Sequence, residues 1–477
     1  MSADGPKVGV DQWVATYEGR REAAGRIRAA LDRVPTPGYF LAFGIAASLL
    51  PLFTSNGYVI RVGFDTVLYM LLALGLNITV GYAGLLDLGY VAFYGFGAYA
   101  YAMLASPKFG LHWDTLAVIP VVIIASALLG FLVALPSRRL LGDYLAIVTL
   151  FFLQFFVTVV QNGNKISILG FTRGYDITGG PNGIANIDGF HFLGLHIDSL
   201  RGYYYTAIVI FLLVLGASYL VDRSRTGRAW RSLREDPLAA ELMGIPVNRL
   251  KLVAFACGAA IAGLTGCIFA ALNTAVFAAN FDVATLIIIY AMLILGGAGS
   301  LGGVIVGAIV VNVSLEVLRT PDHATWIFYG VIILALLWKL RPWYRLVAVI
   351  GGTVALGFAL HAAADAWWPR GVAGESTIGG TIGSWLDGWM LHPSDPRVIG
   401  NWAFVVLVLA VLGLTLLHGW VRNLALVPTL WLSAFVWDNR LVVEPSITRL
   451  ILIGVILIVL MNARPQGLFG TARVEIV

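Results

Sequence analysis

Apolar residues in this chain come in long unbroken runs. They do not alternate as in a half-buried strand, nor form the single stripe of a surface helix. A helical span of a bilayer needs about 20 predominantly apolar residues. Such runs lie near 38–53, 62–81, 85–105, 115–135, 142–161, 202–221, 251–272, 283–297, 301–318, 325–338, 345–363, 402–418, 423–437 and 449–462. They predict an all-α, polytopic transmembrane bundle of about fourteen spans. Four polar stretches interrupt them: residues 1–37, 162–201, 222–250 and 364–401. In the first, Trp13, Tyr17, Ala24, Ile27 and Leu31 recur at helical spacing, which fits a helix lying on the inner membrane surface or a plain solvated one. In the third, Asp236–Pro237 opens a short helix, since proline is tolerated in a first turn. Leu238, Leu242 and Ile245 are its expected buried stripe, and Gly244 its stop. Two roles stay open for this loop: packing beneath the bundle, or docking a cytoplasmic partner.

Composition supports the bundle. Hydrophobic residues make up 59% of the 477 and charged residues only 12%, against roughly a quarter charged in soluble domains. A water-soluble enzyme is thereby excluded, as is a disordered chain. The formal net charge of +5 is distributed in a way that sets orientation. With the loops alternating, 21 of the 31 Lys and Arg fall on the side of the N-terminus. The positive-inside rule then puts both termini in the cytoplasm and favours an even number of spans. The basic N-terminal segment is too long, and lacks the short apolar region, for a cleavable signal peptide. No basic run interleaved with aromatics suggests nucleic-acid binding. Cys257 and Cys267 lie about 15 Å apart along one helix, too far to pair with each other, and read as small core residues.

Few motifs carry chemistry. Gly297–Gly302 matches GxGxxG, but lies between apolar helices with no strand before it, so it is not a dinucleotide site. GxxxxGK[ST] is absent, so the chain carries no ATPase motif of its own, and no HExxH, GxSxG or carboxylate pair points to an enzyme. No cofactor or metal is expected. Glycines crowd Gly81–Gly97 and Gly296–Gly307, where they serve either close helix approach or broken helices along a pathway. Asp65 and Asp87 are the clearest ionisable residues within spans. An Asp at mid-bilayer costs roughly 3 kcal/mol, so Asp87 should face protein, water or the inner headgroups. No chain of buried carboxylates and histidines resembles a proton relay, which weakens a self-contained secondary carrier. Asn77, Tyr82, Asp87, Thr149 and Gln154 are polar span residues that either line a path or join helices. Thr178, Gly179, Gly180, Pro181 and Asn182 form a tight turn in the 162–201 loop, with a sharper alternative role in receiving a ligand from outside.

Six blocks, taken in order, resemble a known family. They are GYAGLLDLGYVAFYGFGAY (81–99), GDYLAIVTL (142–150), TGGPNGI (178–184), GRAWRSLRED (227–236) with Ala239, Ala240 and Met243–Ile245, LGGAGSLG (295–302) and RPQGL (464–468). Together they are similar to the branched-chain amino acid ABC importer permeases of the LivM type, over about residues 60–319 and 449–470. The resemblance implies an importer subunit in a prokaryotic cell (inner) membrane. It implies a second LivH-type permease, two cytoplasmic ABC ATPases that use the ATP, and an outer substrate-binding protein. It makes 222–250 the ATPase coupling segment, with Gly227, Arg228, Arg231, Arg234, Glu235, Asp236, Ala239, Ala240 and Gly244 as its residues. Urea and amide permeases of the same family are a rival substrate class.

Three departures stand out. Phe151–Gln154 reads FFLQ where the family has Gly-Phe-Gly-Glu. Leu238 stands where many ABC permeases carry a glutamate, so Arg231, Arg234 and Glu235 are the expected substitutes. Residues 320–448 add four helices, and the closing pattern GVIILALLWKLRP (330–342) is echoed by GVILIVLMNARP (454–465). The resulting division is 1–37, a core of 38–319, an added segment 320–448, and a closing helix and tail 449–477.

Overall fold

A computed structural model describes residues 36–137, 143–164, 176–192, 195–339, 343–372, 388–394 and 396–441, with positions 374, 448, 450, 451, 454, 455, 458, 467 and 468. The expected N-terminal helix, Arg138, Arg139, and most of the closing helix and of the RPQGL block lie outside these residues.

Among the described residues the apolar runs up to 437 are helical. The order is α1 (Thr36–Phe53), α2 (Gly57–Leu76), α3 (Tyr90–Leu104), α4 (Thr115–Ser137), α5 (Asp143–Asn162), α6 (Leu200–Arg223), α7 (Arg225–Glu235), α8 (Pro237–Leu242), α9 (Val247–Asn273), α10 (Val283–Gly296), α11 (Leu301–Val317), α12 (Pro321–Lys339), α13 (Trp343–Trp367), α14 (Pro396–Leu416) and α15 (Gly419–Val436). Eight described helices are long and apolar enough to cross a bilayer, and three shorter apolar helices accompany them. One run departs from expectation. Residues 85–89 are not helical, and α3 begins only at Tyr90. Gly84 has a φ of +68°, a left-handed conformation that ends the preceding turn and that a residue with a Cβ resists.

The chain divides into two compact units, one up to Leu293 together with Ala298–Ile305, the other Ile294–Gly297 with Val306 onward. In the first unit α9 is the axis, packed along α3 and α4. Its window is 61% buried, against 22% for α4, so α9 is central and α4 peripheral. Small residues explain the closeness. A Cβ at Gly97 on α3 would collide with the Gly263 backbone of α9, and one at Gly266 with the backbone at Tyr94 and Ala98. Close backbone approach is the main source of attraction between helices where lipid supplies no hydrophobic drive. Cys257 and Cys267 are free thiols on this helix. Asp65 is paired with Arg61 one turn earlier at 3.1 Å, and Arg61 also donates to Asn273 Oδ1 at 2.7 Å.

The loops at the opposite end from α7–α8 carry three two-stranded ladders that the hydrophobic pattern did not foreshadow. Ala105–Ser106 pairs with Leu111–His112, Ile184–Ala185 with Ala275–Val276, and Phe190–Phe192 with Leu195–Ile197. Ladders of two or three residues are too short to leave a period of two.

In the second unit α15 packs on α13 and α14, and ends in a π-helical turn, Trp437–Leu441. Trp437 stacks on Phe328 with centroids 4.2 Å apart and donates Nε1–H to Thr325 at 3.0 Å. Beside it, buried Asp438 is hydrogen-bonded to buried His392.

The close approach of α3 and α9 gives a direct test. Gly97→Leu should lower the detergent melting temperature by roughly 5 °C or more, since overpacking a tight contact costs about 1–3 kcal/mol. Gly216→Leu, on a face of α6 with open space around it, should leave the melting temperature unchanged.

Candidate functional site

The site starts from an interrupted helix. After α2 the backbone widens into a π-helical turn, Asn77–Tyr82, a feature frequent at functional sites. Ala83 N–H then reaches back to Ile78 O and Leu85 N–H to Thr79 O. Leu85–Asp87 follow without helical bonds, and Asp87 Oδ1 accepts the Gly89 N–H at 3.0 Å ahead of α3. Side chains from distant elements satisfy the rest. Thr149 Oγ1 on α5 accepts the Leu88 N–H at 2.9 Å, and Tyr290 on α10 donates to the Asp87 carbonyl at 2.8 Å. Asn77 Oδ1 accepts the Gly299 N–H at 2.8 Å. Asp87 is 1% exposed. Its Oδ2, the Asn77 Nδ2 and the Tyr90 hydroxyl have no hydrogen-bond partner among the described residues. Buried polar atoms are rarely left so, and a cluster of them beside a helix break is suited to meeting a polar solute.

Of the five polar span residues, Asn77, Asp87 and Thr149 therefore gather at the break. Tyr82 is buried as well, and its hydroxyl also has no hydrogen-bond partner among the described residues. Gln154 lies on the exposed face of α5, between Phe151 and Phe155.

The polar segment after α6 is a rigid hairpin of two short helices. Ser224 Oγ caps α7 by accepting the Gly227 N–H, and a Cβ at Gly227 would strike the end of α6. Trp230 is buried and donates to Leu250 O at 3.0 Å. Asp236 Oδ1 caps α8, accepting the N–H groups of Leu238 and Ala239, and Gly244 ends it with a φ of +80°. The expected buried stripe is overturned. Ala240 is the buried residue of α8, whereas Leu238 is 72% exposed, Leu242 87% and Met243 84%. Six residues make less than two turns, so tertiary contacts rather than pattern choose the buried face. Ala239 and Glu235 are exposed. Arg228 donates to Arg223 O, and Arg231 to the carboxylate and carbonyl of Asp222. Arg234 turns inward, donating to Gly81 O at 2.5 Å and Ala298 O at 3.4 Å.

The 178–183 turn is tight, as its glycines and proline require. Gly179, Gly180 and Gly183 all have positive φ, and Pro181–Asn182 form an exposed 3-10 turn. Buried Thr178 donates to Val160 O at 2.7 Å and accepts the Gly180 N–H. Asp176 Oδ1 accepts the Gly179 N–H at 2.7 Å and pairs with Lys108 at 2.8 Å. Nearby, a cavity of about 340 Å³ is lined by His112, Trp113, Asp114, Asp188 and His191. Among the described residues no group of three or more His, Cys, Asp or Glu is placed to hold a metal ion.

Comparison with known proteins decides the family. The family described as branched-chain amino acid transport system / permease component matches residues 58–338, more than half of the chain. The chain belongs to this family. The permease is 35% identical to the high-affinity branched-chain amino acid transport system permease proteins LivM of Escherichia coli and Salmonella typhimurium. Each match runs over 325 residues, 63% of this chain and 73% of the relative. It is 26% identical to LivH of Salmonella typhimurium over 263 residues, 52% of this chain and 80% of the relative. No solved structure matches. With its apolar helices, the permease is a multi-pass membrane protein.

Gly84, Asp222, Tyr290 and Gly299 join the site without having been singled out for it. The local signals were the glycine crowding at 81–97 and 296–307, which holds Gly84 and Gly299, and a lone tyrosine in the otherwise apolar 283–297 run. The outer turn yields a pH prediction. Lys108 holds the Asp176 carboxyl below the usual carboxylate range, helped by the Gly179 N–H. A depressed folded pKa stabilises the turn above the ordinary carboxylate pKa, and the benefit is lost as pH falls through the folded value. Hydrogen exchange at 178–183 should thus stay slow from pH 7 to 5 and quicken only below about pH 4. In Asp176→Asn it should be fast throughout. Quickening already near pH 6 would show that a group other than Asp176 holds the turn.

Proposed function

We propose that this permease is the membrane-spanning subunit of an ATP-driven importer of branched-chain amino acids, residing in a prokaryotic inner membrane. Its about fourteen spans leave both termini in the cytoplasm. The observation that carries this reading is the α7–α8 hairpin. Its inner side is sealed to the bundle by Trp230 and Arg234, while Leu238, Leu242 and Met243 stand outward in a ridge. Apolar side chains exposed on a basic polar segment fit a groove on a partner. Without a GxxxxGK[ST] loop of its own, the chain needs two partner ATPases there to use ATP. A second, LivH-type permease completes the path, and an outer binding protein delivers substrate to the loops that include 178–182.

The site suits a zwitterion. Asp87 Oδ2 is an acceptor for an ammonium, and Asn77 Nδ2 and the Tyr90 hydroxyl are donors for a carboxylate. Apolar walls accept a branched side chain. Gln154, exposed beside Phe151, Phe155 and Thr158, is among the polar groups that α5 would offer toward the second permease. An amide in hydrocarbon is costly unless a protein or water-filled path covers it.

Purification of the tagged chain in mild detergent, followed by leucine uptake in liposomes, tests the reading. The expected result is co-purification of P-loop ATPases and a second permease, with uptake that requires ATP. Leu238→Glu with Leu242→Glu should release the ATPases and reduce uptake at least tenfold, with the melting temperature unchanged because both side chains are exposed. Uptake by the chain alone without ATP would identify a secondary carrier and remove this proposal.

A further inference from the structure

The arginines of α7 are spaced three apart, at Arg225, Arg228, Arg231 and Arg234, as expected for a helix presenting positive charge to a partner. Arg228 and Arg231 bond back to the end of α6. Arg234 instead crosses to two segments far away in sequence, the π-helical turn at Gly81 and the turn at Ala298. Two glycines make the slot it occupies, and a third, Gly81, lets the two turns it joins come together. A Cβ at Gly84 would lie 2.9 Å from Arg234 Cγ, and one at Gly299 would lie 2.5 Å from Nη1. A Cβ at Gly81 would lie 2.6 Å from the Gly299 nitrogen. The Asn77–Gly299 hydrogen bond closes the ring, so that α7, the π-helical turn and the 298–300 turn are tied through one guanidinium. Hydrogen bonds from a charged donor are worth about 1.5–3 kcal/mol, more than neutral ones, and a part-buried site strengthens them.

We infer that Arg234 is a positioning residue that carries movement of the α7–α8 hairpin to the helix break at Gly81, and through it to Asp87, and that it takes no part in holding the ATPase. The inference rests on the importer reading. Displacement of α7 must either move Gly81 and Ala298 with it or break a charged hydrogen bond. Asp87 follows Gly81 across the non-helical stretch, so it moves with the turn. The exposed ridge of α8 makes the grip, and Arg234 transmits the pull.

The test uses the full importer in liposomes, comparing wild type, Arg234→Ala, Arg234→Lys and Gly299→Ala. Retained ATPase, ATP hydrolysis and leucine uptake are each measured. In Arg234→Ala the ATPases stay bound and hydrolysis stays within about twofold, yet uptake falls at least tenfold and hydrolysis no longer responds to loaded binding protein. Arg234→Lys restores part of the uptake, because an ammonium reaches the same carbonyls. Gly299→Ala, which leaves the outer surface of the hairpin untouched, crowds the guanidinium and strains a backbone held at a φ of +90°, uncouples in the same way. It keeps the test decisive if Arg234→Ala fails to fold. Loss of the ATPases from Arg234→Ala or Gly299→Ala, or normal coupled uptake in both, overturns the inference alone. A wild-type chain that binds no ATPase overturns the importer reading and this inference with it.

Discussion

A helix that stops inside a protein interior leaves N–H and C=O groups that no water is at hand to satisfy, and each one left unpaired costs about 1–3 kcal/mol. The 77–89 segment is organised around that constraint. The Leu88 N–H goes to Thr149, the Asp87 carbonyl to Tyr290, the Gly81 carbonyl to Arg234 and the Gly299 N–H to Asn77. Each bond draws a different element toward the same place: α5, α10, the α7–α8 hairpin and the 298–300 turn. The interruption of one helix therefore specifies where several others must sit.

The same logic separates scaffold from site. Along α9 the glycines remove side chains so that backbones touch, as Gly97 does against Gly263 and Gly266 against Tyr94 and Ala98. At the break the glycines remove side chains so that a guanidinium and turns of backbone fit together, and polar atoms of Asp87, Asn77 and Tyr90 have no partner among the described residues. The second unit meets a similar demand at its own π-helical turn, where Asn439 donates to Leu391 O and Phe435 O and Trp437 donates to Thr325.

Much of the fold was legible in advance. Long apolar runs with few charges leave no choice but helices, and their order follows from the chain. The non-helical 85–89 stretch was not legible, because its residues are as apolar as a helix and hydropathy does not report a left-handed φ at Gly84. The phase of α8 was missed because a six-residue helix shows too little periodicity to say which side faces in. Arg234, expected from the resemblance to be one of the coupling residues, turns inward because glycines at 84 and 299 leave room for it.

The sequence by itself determined the membrane class, the helices, the polar segment at 222–250 and, through its ordered blocks, the family, since each of these depends on local composition or on motif order. Tertiary structure decided which polar residues act together. Asn77, Asp87 and Thr149 meet at the break, and Gln154 faces outward. Those outcomes depend on bonds between residues far apart in the chain, such as Asn77 with Gly299. Local pattern carries no record of such distant pairings.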